Sequence, residues 1–127
     1  MSSNESIALV REIYAAWGRG EWAGRFMDHD IEYVNPPDAL EPGTRRGRSL
    51  FSTMPDLFDD LRAEARRVVP VGDEVLVVAV IRGRGKGSGA PVQREQGHVW
   101  TVRDGRAVRF RWFRSAEDAL RDLGLDA

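Results

Sequence analysis

Residues 92–113 read VQREQGHVWTVRDGRAVRFRWF, and the architecture follows from them. Val92 to Arg103 and Arg106 to Phe113 both keep the two-residue period of a strand. Asp104-Gly105 between them is a favoured turn pair of β-hairpins. Alternation puts Arg94, Gln96, His98 and Trp100 on one face of the first strand, and Val108, Phe110 and Trp112 on the matching face of the second. A slip of one residue would turn Gly97 and Val99 inward instead, so every expectation about a site depends on this parity.

Upstream of the hairpin, Arg62 to Val71 and Val75 to Arg82 carry the same period, which brings Val77, Ala79 and Ile81 to the inner face. Ile31 to Asn35 also alternates and is closed by Pro36 and Pro37, as expected of a strand near an edge. The remaining apolar residues recur at helical spacing. Ile7, Val10, Ile13, Tyr14 and Trp17 form one stripe, with Ser2 and Glu5 as a capping box and Gly18 and Gly20 as the stop. Trp22, Ala23, Phe26 and Met27 predict a short second helix. Leu50, Phe51, Met54, Leu57, Phe58 and Leu61 predict a third, although Pro55 inside it costs about 3 kcal/mol and implies a kink or a restart at Asp56. After the hairpin, Ser115 and Asp118 open a closing helix that ends at Gly124. Segregated helices and strands predict a single α+β domain over residues 1–127. In it, N-terminal helices pack on a strongly curved, mostly antiparallel sheet to form a cone with an internal cavity, and a short C-terminal helix closes the chain.

Composition narrows the function. Nineteen basic against twenty acidic side chains leave a net charge of −1, which argues against a polyanion binder, so neither nucleic acid nor a membrane is an expected partner. Without cysteine there is no disulfide, no thiol nucleophile and no thiolate metal site. The first residues lack the order of a signal peptide, and the expected address is cytoplasmic. His29 between Asp28 and Asp30 has the composition of a metal cluster, but adjacent residues cannot converge on one ion, and no metal is expected. Arg45, Arg46 and Arg48 read as a solvated loop, with an anion grip as the alternative. Gly83 to Gly89 imitates a phosphate loop, yet Pro91 and a strand follow it where a helix should begin, so a hairpin tip is expected.

The run Tyr14-Ala15-Ala16-Trp17-Gly18-Arg19-Gly20-Glu21-Trp22, followed by Asp30-Ile31-Glu32-Tyr33-Val34-Asn35-Pro36, resembles the opening of SnoaL-like proteins of the nuclear transport factor 2-like superfamily. Val99 to Arg111 with Ala119-Leu120 and Gly124-Leu125 is similar to that family's closing hairpin and helix. The resemblance covers almost the whole chain. It implies the cone fold and favours a homodimer, but not one reaction, because the superfamily spans cyclases, isomerases, hydrolases and binders. A ketosteroid isomerase would need an Asp where Asn35 stands and a Tyr where Ile13 stands. A limonene-type epoxide hydrolase is matched by Tyr33-Val34-Asn35, but its Arg and two Asp would fall on Ala79, Ile81 and Trp112. In the aldol-type cyclases an Asp acts where this chain has Gln96, His98 or Trp112.

The expected pocket is therefore mostly apolar and cofactor-free, lined by Tyr14, Trp17, Met54, Phe58, Val77, Ala79, Ile81, Arg94, Gln96, Phe110 and Trp112. His98 is the candidate acid/base, expected within reach of Tyr33 or Asn35 as polarising partners; its bland alternative is a hydrogen-bonded structural histidine. Tyr33 and Asn35 are equally readable as satisfied core groups, and Tyr14 and Trp17 as plain packing. The expected function is the holding of a small hydrophobic molecule, with proton transfer or hydration if the protein is an enzyme. A carrier without catalysis and a protein-interaction module are the alternatives. Arg109, Arg111 and Phe113 mark the outer sheet face on which a homodimer would form.

Overall fold

The computed structural model describes residues 3–52 and 58–125. The first element, α1 (Ser3–Gly18), turns Val10, Ile13 and Tyr14 into the core, with Ile7 and Trp17 packed at its margin. Six strands follow: β1 (Met27–Asn35), β2 (Gly43–Arg46), β3 (Phe58–Val71), β4 (Glu74–Gly85), β5 (Pro91–Arg103) and β6 (Arg106–Phe113). A single turn, α2 (Ser49–Ser52), separates β2 from β3, and α3 (Ala116–Asp122) closes the chain. The sheet order is β2-β1-β6-β5-β4-β3, with β2 and β3 as open edges. All neighbours are antiparallel except β1 and β6, which run parallel with Tyr33 opposite Phe110.

Local chemistry explains the elements that the spacing predicts. Asp104 and Gly105 both have positive φ, 52° and 76°, as a tight hairpin turn requires, and Arg103 faces Arg106 across them. Ser115 caps α3 by accepting the Asp118 amide at 3.1 Å. The helix ends in a Schellman arrangement, with Gly124 at φ 74° and the Leu125 amide donating to the Leu120 carbonyl. Register shifts in β3 between Asp59 and Arg62 and between Ala65 and Arg67 are bulges, which bend a strand and help curl the sheet around α1.

Four expectations need correction. The second helix shrinks to one 3-10 turn at Gly24–Phe26, because Ala23 takes a left-handed conformation (φ 65°) that breaks any longer helix; Met27 already belongs to β1. The third helix keeps only Ser49–Ser52. Phe58 and Leu61 lie in β3, held by the pairing of Phe58 with Gly85, and Met54, Pro55, Asp56 and Leu57 lie outside the described residues, as does Ser2 of the capping box. Arg45 and Arg46 sit on a real strand, β2, paired with Tyr33 and Glu32. The strand at 31–35 begins four residues earlier than the alternation suggests, and it is second from the edge.

Two apolar clusters hold the fold. The larger lies between α1 and the inner sheet face, where Val10, Ile13, Met27, Ile31, Val77, Ala79 and Trp100 are completely buried. Each large side chain so buried contributes about 1.5–3 kcal/mol. The smaller lies under α3 on the outer face and joins Leu76, Val99 and Ala119 to Phe113 and Leu120. α3 thus covers part of the outer face, Phe113 included, and Arg111 is tied down there by Glu74 at 3.1 Å and Asp122 at 2.7 Å. Among the described residues no helix is long and apolar enough to cross a membrane.

Candidate functional site

The inner face of β5 carries the polar centre of the molecule. Because residues two apart share a face, Gln96, His98 and Trp100 all turn towards α1, and the helical stripe brings Tyr14 against them. Trp100 Nε1 donates to the Tyr14 hydroxyl oxygen at 2.9 Å; that hydroxyl lies 2.5 Å from His98 Nδ1, and His98 Nε2 lies 3.0 Å from Gln96 Oε1. His98 is 2% exposed and uses both ring nitrogens within the protein.

Beside this chain lies a cavity of about 140 Å³, lined by Trp17, Gly20, Glu21, Trp22, Tyr33, Phe51, Leu61, Arg62, Ala63, Ile81, Gln96, His98 and Phe110. That is close to the roughly 150 Å³ void known to accept one benzene-sized ring. Its walls are aromatic and interlocked. Tyr33 meets Phe51 edge-on at 5.1 Å and Phe110 at 5.3 Å, while Phe51 stacks with Trp17 at 6.0 Å. Exposed Gly20, Glu21, Trp22 and Arg62 frame the outer end. Gly20, at φ 81°, suits this rim because a Cβ there would come within 2.7 Å of the Arg62 guanidinium. A larger depression of about 560 Å³ runs between α1 and β3–β4, but exposed Arg11, Glu64 and Arg82 open it to solvent, and the Arg82 and Glu64 charges there are spent on each other at 3.0 Å. Enclosure and converging polar groups favour the smaller space.

Burial sets the electrostatics. Desolvation pushes the His98 pKa down to about 3 and the Tyr33 pKa up to about 12, so both are neutral at ordinary pH. The Tyr14 hydroxyl is raised well above its usual value by burial, an effect that the Trp100 hydrogen bond partly opposes. At the rim, hydrogen bonding from Arg19 followed by its charge lowers the Glu21 carboxyl. The Tyr33 hydroxyl makes no hydrogen bond to another described residue, and its ring lines the cavity.

Of the expected pocket residues, Trp17, Ile81, Gln96 and Phe110 line the cavity, together with His98 and Tyr33. Tyr14 lies behind the wall as the partner of His98. Val77 and Ala79 are solid core, and Phe58 is half-buried in β3 away from the space. Arg94 has the right parity but is exposed, since it sits beyond the covered part of β5, where a guanidinium keeps its hydration. Asn35 and Trp112 do not line the cavity either. Asn35 accepts from Trp112 Nε1 at 2.6 Å and donates to the Glu41 carbonyl at 2.9 Å, which makes it a tether between strand ends. The expected approach of His98 to Tyr33 or Asn35 is replaced by its bonds to Tyr14 and Gln96. Gly20, Glu21, Trp22, Phe51, Leu61, Arg62 and Ala63 line the cavity without being among the expected pocket residues. Phe51 was visible only as one member of a helical stripe, and Leu61 and Arg62 only as the end of a helix and the start of a strand. Among the described residues no group of three acidic or histidine side chains could hold a metal ion.

Residues 10–110 match the model of the SnoaL-like domain. No curated protein matches the chain. Solved structures match along nearly its whole length. A protein from Catenulispora acidiphila with a ketosteroid isomerase-like fold, crystallised with trimethylamine, has a TM-score of 0.70 and 20% identity over 92% of each chain. An NTF2-like protein from Burkholderia xenovorans has a TM-score of 0.66 and 25% identity, covering 95% of this chain and 97% of its own. A candidate SnoaL-like polyketide cyclase from Jannaschia has a TM-score of 0.72 and 16% identity over 98% of this chain and 94% of its own.

Proposed function

The chain belongs to the SnoaL-like domain family, and from that premise we propose that it binds one small, uncharged, ring-bearing molecule in the aromatic cavity, as a carrier or sensor of that molecule and not as a proton-transfer enzyme. One observation carries the reading: the only imidazole on the cavity wall among the described residues is neutral and has both nitrogens engaged by Tyr14 and Gln96. An acid/base near neutral pH needs a pKa near that pH and a free nitrogen facing the reactant. His98 has neither, and the carboxylate nearest the cavity, Glu21, is at the exposed rim beside Arg19. The enclosed volume supports a ligand-holding reading over an interaction module, for which a filled interior is expected.

Titration with indene, a neutral ring that slides between aromatic walls, tests this by two-dimensional NMR. Saturable shifts confined to residues around Ala63, Ile81 and Phe110 are expected. The variant Ile81→Phe, which fills part of the space, weakens binding at least tenfold while the spectrum stays folded. Absence of saturable shifts, or binding indifferent to Ile81→Phe, overturns the proposal.

A further inference from the structure

The hydrogen bonds beside the cavity have a direction. Trp100 Nε1–H can only donate, so the Tyr14 oxygen 2.9 Å away must accept. Tyr14 then has one proton to give in a fully buried position, and among the described residues its acceptor is His98 Nδ1. An orphaned buried hydroxyl is costly, so Nδ1 carries the lone pair and the proton of the neutral imidazole sits on Nε2. That N–H points at the Gln96 side chain 3.0 Å away and requires the oxygen there, since the amide turned the other way would set two donors face to face. The Gln96 NH₂ group is left over. No described residue accepts from it, and Gln96 lines the cavity.

We propose that the relay Trp100–Tyr14–His98 locks the Gln96 amide as a hydrogen-bond donor towards the cavity, so that the site selects ring-bearing ligands with an acceptor oxygen, such as a carbonyl, over ligands of the same shape that can only donate. Of the other polar groups on the lining, Arg62 and Trp22 belong to the exposed rim, where water competes for their N–H groups, and the inner Tyr33 hydroxyl can donate or accept and discriminates little. Gln96 therefore sets the preference, and Tyr14 and His98 act on it as positioning residues. The proposal rests on the binding reading above and names the ligand class of the same site.

The test uses three bicyclic probes of similar shape: 1-indanone, which only accepts, indole, which only donates, and indene, which does neither. Binding of 1-indanone about tenfold tighter than indole is expected, in line with one hydrogen bond made against one donor left facing another. Gln96→Leu should remove the difference, and Gln96→Glu, which presents an acceptor oxygen instead, should reverse it. Nitrogen-15 NMR of the free protein supplies a readout that needs no ligand: the His98 ring should show the Nε2–H tautomer, and Tyr14→Phe should release it into a mixture. An Nδ1–H tautomer in the unmodified protein overturns the relay. Binding of all three probes without preference overturns the selectivity alone, whereas an Nε2–H tautomer with no binding of any probe overturns the ligand reading and the selectivity with it.

Discussion

The two faces of β5 solve opposite problems within five residues. On the inner face Gln96, His98 and Trp100 bring three polar groups into the core and join them, through Tyr14, in one chain of hydrogen bonds. On the outer face Gly97 removes its side chain altogether so that α3 can settle on the strand, while Val99 packs with Leu76 and Ala119. The inner face is specified by hydrogen-bond capacity and the outer face by volume. Disturbing either face should leave a different signature.

The largest effect is expected on the outer face. A Cβ at Gly97 would lie 2.6 Å from the Ala119 Cβ and 2.9 Å from the Ser115 carbonyl oxygen, and neither belongs to a flexible side chain that could swing away. Gly97→Val should cost about 3 kcal/mol in urea unfolding, the upper part of the usual overpacking range, and leave the His98 tautomer as it was. An inner-face effect of about 2 kcal/mol comes next, and it depends on pH. The His98 pKa is about 3 in the folded protein and about 6.5 in the unfolded chain, so between these values only the unfolded chain takes up the proton. His98 thus contributes its full stability above about pH 6.5, and the contribution falls as pH drops towards 3. At pH 5 the loss is about 2 kcal/mol relative to pH 7. His98→Gln, which cannot protonate, should lack this component when the two proteins are unfolded in urea at both pH values. The smallest effect belongs to the exposed surface of α3, where Arg121 pairs with Glu117 and Asp118 at 2.9 and 3.1 Å. Solvent screens such pairs, and Arg121→Ala should shift stability by less than about 1 kcal/mol.

The same contrast explains what could be read in advance. The hairpin of β5 and β6, the stripe of α1 and the cap of α3 are written in short-range patterns, and their parity placed Ile81, Gln96, His98 and Phe110 on one wall. Features made by distant pairing left no local trace. All four residues of β2 are exposed, so it has no alternation to find and is a strand only because β1 offers it an edge. Tyr14 looks like any other apolar-stripe residue, and its bond to His98 spans 84 positions. Asn35 has the residue type and neighbours of a ligand-binding group, yet both ends of its amide are taken by Trp112 and Glu41. Residue type shows what a side chain can do; only the fold shows whether that capacity is already spent.

The parallel pairing of β1 with β6 also constrains how the chain is made. Residues 27–35 leave the ribosome long before residues 106–113, so β1 must wait for most of the polypeptide before its inner neighbour exists, with β2 alone available as an early partner. Contacts of such long sequence separation slow folding, because a large loop has to close before any reward is collected. The four consecutive antiparallel strands β3 to β6 can assemble by local zipping. Because β1 joins those four strands only through β6, its native pairing needs β6 in place, and with that pairing Tyr33 takes its position beside Phe110 on the cavity wall.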